Sequence, residues 1–153
     1  MRIAILCAAL AACGSPDPTP TVEVTAATPD TLATSDDTTN DLTIAVRYTD
    51  GDGDLGGGTA AIHDCRGDDL VTTLQLPSIA PPDIVAAKDE ITGELDLNVD
   101  DVGNQAAATM PTTCSDLGVA ALATGTTVFC VELTDVAGHT SAGSCTDAIT
   151  ISE

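Results

Sequence analysis

"LTIAVRYTDGDGDLGGG", Leu42 to Gly58, changes character halfway along. In its first half Leu42, Ile44, Val46 and Tyr48 share one face, the two-residue period of a half-buried β-strand. Its second half drops that period. Asp50, Asp52 and Asp54 alternate with Gly51 and Gly53 and then run into more glycine. A period-2 segment ending in turn residues is what a strand followed by a tight acidic loop looks like.

The same grammar recurs along the chain. "TVEVTAA" (Thr21–Ala27) alternates, and the polar connection Asp30–Asp41 has room for a short strand near Leu32. "TAAIHDC" (Thr59–Cys65), "LVTTLQL" (Leu70–Leu76), "ITGELDLNV" (Ile91–Val99), "TTVFCVELTD" (Thr126–Asp135) and the closing "DAITISE" read as further strands. Pro77 to Asp83 breaks the chain. No long segment keeps a 3.6-residue period, and the Ala-rich piece Gly118–Gly125 is predicted to form a short helical turn. Seven or eight short strands in a chain of one-domain length predict an all-β fold, an antiparallel β-sandwich over residues 20–153.

Two pieces resemble immunoglobulin-like domains of bacterial surface lipoproteins: "LTIAVRYTDGDGDLGGG", and "FCVELTDVAGHTSAGSCTDAITIS" from Phe129 to Ser152. The latter is similar to the last hairpin of such domains, where an Asp-x-Ala-Gly-Asn turn links the final strands. Here His139 stands in place of the usual Asn. The resemblance implies an immunoglobulin-like sandwich and no particular activity.

The N-terminus reads as an address. In "MRIAILCAALAACGS" one Arg precedes an apolar run, Ile3 to Ala12, far short of the roughly 20 residues that span a bilayer. Basic start, apolar middle and small-residue exit are the layout of a secretory signal. Leu10-Ala11-Ala12-Cys13 resembles the lipobox of bacterial lipoproteins. The resemblance implies that residues 1–12 are a signal peptide and that Cys13 becomes the lipidated first residue. Two or more acyl chains there anchor a protein stably to the membrane. Gly14 rather than Asp after the cysteine points to the outer membrane of the cell envelope. Residues 13–19 then form a Pro-rich tether.

Composition narrows the partners. There is no Trp, Phe129 and Tyr48 are the only aromatics, and the core must rest on Val, Leu, Ile and Ala. Four basic residues against 24 acids give a net charge of −20, which repels nucleic acid and anionic lipid. Three readings of that charge stay open: collection of divalent cations, solvation in high salt, or solubility of a secreted domain.

Beyond Cys7 and Cys13, the cysteines are Cys65, Cys114, Cys130 and Cys145. An even number in an exported domain predicts two disulfides, and the sequence alone allows three connectivities. The immunoglobulin-like arrangement favours Cys65–Cys114 at one end and Cys130–Cys145 across the last hairpin. Without a Cys-x-x-Cys pair, zinc is a poor fit.

The aspartate loop begins like an EF-hand and then departs from it. Leu55 occupies the sixth position, where Gly is needed, and Ala61 the twelfth, where a bidentate Glu belongs. In a sandwich the loop would join the second and third strands. Asp135, at the final turn, would then lie at the same end. Asp50, Asp52, Asp54 and Asp135 are therefore the candidate ligands of a weak structural Ca²⁺ site. The alternative is a solvated turn, for which Asp and Gly are equally suited.

No nucleophile elbow, phosphate loop or His-Glu-x-x-His motif is present. His63 and His139 read as surface or strand residues, and Arg66-Gly67-Asp68 as a chance tripeptide. The expected function is a non-enzymatic, lipid-anchored cell-surface module that binds a protein or glycan. The alternative is an envelope-spacing lipoprotein with no specific ligand. The scarcity of aromatics counts against a sugar-binding face.

Overall fold

The computed structural model describes residues 16–33, 40–66, 71–100, 102 and 112–152. The lipobox with Cys13, the signal region 1–12 and the start of the tether lie outside the described residues.

The described chain is mostly β. Its strands are β1 (Thr21–Thr28), β2 (Thr31–Ala33), β3 (Leu42–Asp50), β4 (Thr59–Asp64), β5 (Val71–Gln75), β6 (Ile91–Val99), β7 (Thr126–Thr127), β8 (Phe129–Thr134), β9 (Ser144–Cys145) and β10 (Ile149–Ser152). Two short helices, α1 (Pro82–Ala87) and α2 (Thr112–Asp116), interrupt them. The strands form three sheets, ordered β1-β3-β6, β2-β10-β7 and β5-β4-β8-β9. All pairings are antiparallel except β10 with β2.

The longest pairing, β3 with β6, runs without a slip from Leu42↔Val99 to Asp50↔Ile91. One face of β3 supplies Leu42, Ile44, Val46 and Tyr48 to the core. They meet Leu97 and Val99 of β6, Ala60 and Ile62 of β4, and Phe129, Val131 and Leu133 of β8 in one buried cluster. The inward rows of the first and third sheets thus share a core, and the period-2 pattern of each strand places them there. In β1 the register shifts between Val24 and Ala26, and the Thr28–Pro29 peptide bond is cis where the chain leaves the first sheet for the second.

Two disulfides staple the structure. Cys65–Cys114 joins the turn after β4 to α2, with Cα atoms 5.8 Å apart. Cys130–Cys145 crosses the β8–β9 pair, with Cα atoms 4.0 Å apart. Each contributes about 2–4 kcal/mol by constraining the unfolded chain.

Three expectations need correcting. The Ala-rich piece Gly118–Gly125 is not helical. It is too short to nucleate alone, and its Val119 and Leu122 pack against the disulfide cluster instead. The helical turns lie at α1, where Pro82 takes the first helical position that suits it, and at α2. The run Thr126–Asp135 is two strands in different sheets, divided at Val128, whose carbonyl accepts a hydrogen bond from Cys65 N–H at 3.1 Å. Because Thr31–Ala33 is a strand in its own right, the aspartate loop joins the third and fourth strands.

Candidate metal centre

The aspartate loop begins where β3 stops. Asp50 is the last residue of the strand and is fully buried. Its Oδ2 accepts a hydrogen bond from Leu55 N–H at 2.8 Å, which curls the loop back over its own start. Leu55, 0% exposed, pins that curl into the core. Glycine is required twice. Gly53 has φ +73°, the left-handed region. Gly51 lies so close to the N-terminal segment that a Cβ there would meet the Asp17 carbonyl oxygen at 2.0 Å.

The final turn closes the other side. Val136 N–H donates to the Asp54 carbonyl at 3.4 Å, tying the turn after β8 to the loop. Asp135 is buried, and its carboxylate is held from one side by His139: the backbone N–H donates to Oδ1 at 2.8 Å, and ring Nδ1 lies 2.7 Å from Oδ2.

These two segments bring four carboxylates together. One oxygen from each of Asp50, Asp52, Asp54 and Asp135 lies within 4.8 Å of all the others. Oδ1 of Asp50, of Asp52 and of Asp54 is buried without a hydrogen-bond partner, and among the described residues no other buried side-chain oxygen or nitrogen is in that state. At such separations each pair of charges repels by on the order of a few kcal/mol at an effective dielectric of ~20. A buried acceptor left unpaired costs a further ~1–3 kcal/mol.

The proton affinities register the strain. Burial, opposed in part by the Leu55 hydrogen bond, raises Asp50 above the ordinary carboxylate range. Asp54 is pushed up to about 6, first by burial and then by the charges of Asp135, Asp52 and Asp50. His139 is raised by its hydrogen bond to Asp135, so its cationic form is favoured beside the acids. A second nearby cation among the described residues is Lys88, whose Nζ reaches Asp52 Oδ2 at 3.6 Å from an exposed position at the end of α1.

The four oxygens could hold a metal ion. They are hard oxygen donors, and all four lie within 4.8 Å of one another, close enough to share one divalent cation.

His139 and Lys88 were not singled out for this site from the sequence. The i, i+4 spacing of Asp135 and His139 across a Gly-containing turn is the signal that could have found the first. Lys88 carried no signal, since its approach depends on how α1 packs over the loop. His63 stands apart on the β4–β8 pair, 2.8 Å from Glu132. Of the other predicted site residues, Cys65, Cys114, Cys130 and Cys145 form the two disulfides, and Cys13 lies outside the described residues. No known protein family, curated protein or solved structure matches the chain.

Proposed function

We propose that the chain is a non-enzymatic, lipid-anchored surface module: an exported, immunoglobulin-like β-sandwich held to the cell envelope through Cys13, with Ca²⁺ rigidifying the loop end at Asp50, Asp52, Asp54 and Asp135. The loop end so ordered is the face offered to a protein or glycan partner. The observation that carries the calcium reading is the set of three unpartnered buried oxygens on Asp50, Asp52 and Asp54, converging with Asp135. A dication removes both costs of that set, the mutual repulsion and the unmet acceptors. Extracellular calcium modules work at about 10⁻⁴–10⁻³ M, a concentration a surface protein meets. Supporting the sandwich reading are the shared core of the first and third sheets and the Cys130–Cys145 staple on the last hairpin. The anchoring reading rests on Leu10 to Cys13. Among the described residues no helix is long and apolar enough to cross a membrane.

Titration calorimetry of the disulfide-intact chain tests the calcium reading. One site is expected, lost in both Asp52→Asn and Asp135→Asn. Heat that persists unchanged in both variants would place any calcium elsewhere. Cys13→Ala is expected to move the protein from the membrane fraction to the soluble fraction. Retention in the membrane would end the lipid-anchor reading.

A further inference from the structure

The tether leaves the domain at the aspartate loop. β1 opens at Thr21, which pairs with Thr49, the residue before Asp50. The segment ahead of it, Pro16 to Pro20, lies against the loop. The Asp17 carbonyl oxygen and Pro16 Cβ crowd Gly51, where an added Cβ would meet them at 2.0 and 3.0 Å, and Pro20 is buried. Pro16 and Pro18 share a cleft with Gly51, Asp52, Ala87 and Lys88. Cys13 lies three residues before Pro16. Whatever path they take, three peptide steps cover at most about 11 Å. The same end carries two groups suited to a lipid surface. Val136 is the most exposed of the large hydrophobic residues among those described, at 64%, and its N–H is bonded to the loop at Asp54. Lys88 is exposed beside Asp52.

We infer that the domain stands on the membrane with its aspartate loop down: the loop, the turn after β8 and the end of α1 face the phospholipid headgroup layer that holds Cys13. The inference rests on the anchoring reading of Cys13 and, for its calcium dependence, on the metal reading of the four aspartates. Acyl chains fix Cys13 at the interface. The short docked tether then keeps the loop end within reach of that interface. Val136 meets the apolar side of the headgroup layer, and Lys88 meets a lipid phosphate. Charge sets how closely the end seats. Four ionised carboxylates are pushed away from an anionic surface, and a bound dication cancels half of their charge. Calcium therefore seats the loop end closer. The opposite end points away from the lipid. There Thr146 N–H donates to the carbonyl of Phe129, at the start of β8, and exposed Ala148 follows. Six-residue β8 separates the two ends by roughly 17–20 Å. A protein or glycan partner of the loop end is then met at the membrane surface.

The chain contains no Trp, so a single introduced indole reports its own position. The test uses the full lipidated chain in vesicles of phosphatidylethanolamine and phosphatidylglycerol, doped with phosphatidylcholine that carries a nitroxide on its headgroup. Fluorescence quenching is compared in Val136→Trp and Ala148→Trp, both at exposed positions. Quenching in Val136→Trp is expected to exceed that in Ala148→Trp by at least about threefold, given their separation along β8. Equal quenching, or the reverse order, would overturn the orientation. Calcium is expected to raise quenching in Val136→Trp roughly twofold and to leave it unchanged once Asp52→Asn is added. An equal rise in both would assign the effect to the lipid and overturn calcium-controlled seating. Flotation with the vesicles reads the anchor separately. A wild-type chain that does not float ends the anchor reading and the orientation with it, whereas a floating chain with equal quenching overturns the orientation alone. A chain that binds no calcium by calorimetry loses the seating step and keeps the orientation.

Discussion

Asp50 ends β3 and Asp64 ends β4, at opposite ends of β4's run, and both are buried. The chain treats them differently. Asp64 has its cation built in. Arg66, 1% exposed, donates Nε–H to both carboxylate oxygens at 3.0 and 2.9 Å, and its backbone N–H donates to Oδ1 at 3.0 Å. The guanidinium also donates to the Val102 carbonyl and lies 5.8 Å from the centre of the Phe129 ring. Asp50 instead gathers Asp52, Asp54 and Asp135, and the cations set against them among the described residues are an exposed Lys88 and a half-buried His139. One end is neutralised from within, and the other is left suited to a cation from outside. Burial alone does not distinguish the two ends; the buried, hydrogen-bonded counter-charge at Asp64 does.

That contrast can be broken or sharpened by substitution. The largest effect is expected at the self-neutralised end. Arg66→Met strands a buried carboxylate and should cost about 3–5 kcal/mol in urea unfolding, whether or not calcium is present. A loss under about 1 kcal/mol would mean that Asp64 finds another partner. At the loop end the sign reverses. In calcium-free buffer Asp54→Asn should stabilise the protein at pH 7 by about 1–2 kcal/mol, allowing for the partial exposure of Asp54, because it removes one of four mutually repelling charges. Destabilisation by the same substitution would show that the cluster is already compensated.

The pH dependence follows from the same group. Folded Asp54 holds its proton to about 6, whereas in the unfolded chain it releases it near the ordinary aspartate value of 3.8. The folded state therefore binds more protons between those values, and Asp54's contribution to calcium-free stability is full below about 3.8 and lost as pH rises through about 6. Saturating calcium, which binds ionised carboxylates, should turn that fall into a rise. Urea midpoints at pH 4 and 6.5, with and without calcium, check both directions. The smallest effect is expected at Arg47, which pairs with Glu23 at 3.0 Å and Glu94 at 3.5 Å on the exposed face of the first sheet. Arg47→Ala should change stability by less than about 1 kcal/mol, and by less still in high salt.

How much of this was legible in the sequence differs by residue. β3 and β6 were readable to their end residues, because their alternation is unbroken and one face of each meets the core. The acidic loop was readable from its composition. Its meeting with Asp135 required strands to be placed in space first, as did the packing of α1 that brings Lys88 to Asp52. The division at Val128 was hidden because Thr126 to Asp135 reads as one continuous β-rich run. The Asp64–Arg66 pair was hidden for a simpler reason. An i, i+2 acid–base pair faces one way on a strand and is commonplace in a turn, and only the burial of both groups gives it weight.

The most direct measurement is a thermal melt at pH 7 of residues 14–153, disulfides intact, titrated with Ca²⁺ alongside Mg²⁺ and NaCl at matched ionic strength. The expected result is a saturable rise in midpoint specific to calcium, equivalent to about 2.7 kcal/mol at 100 times the dissociation constant, and abolished in Asp52→Asn. An equal response to all three salts, unchanged in that variant, would contradict a metal centre and leave the four aspartates as part of an acidic coat.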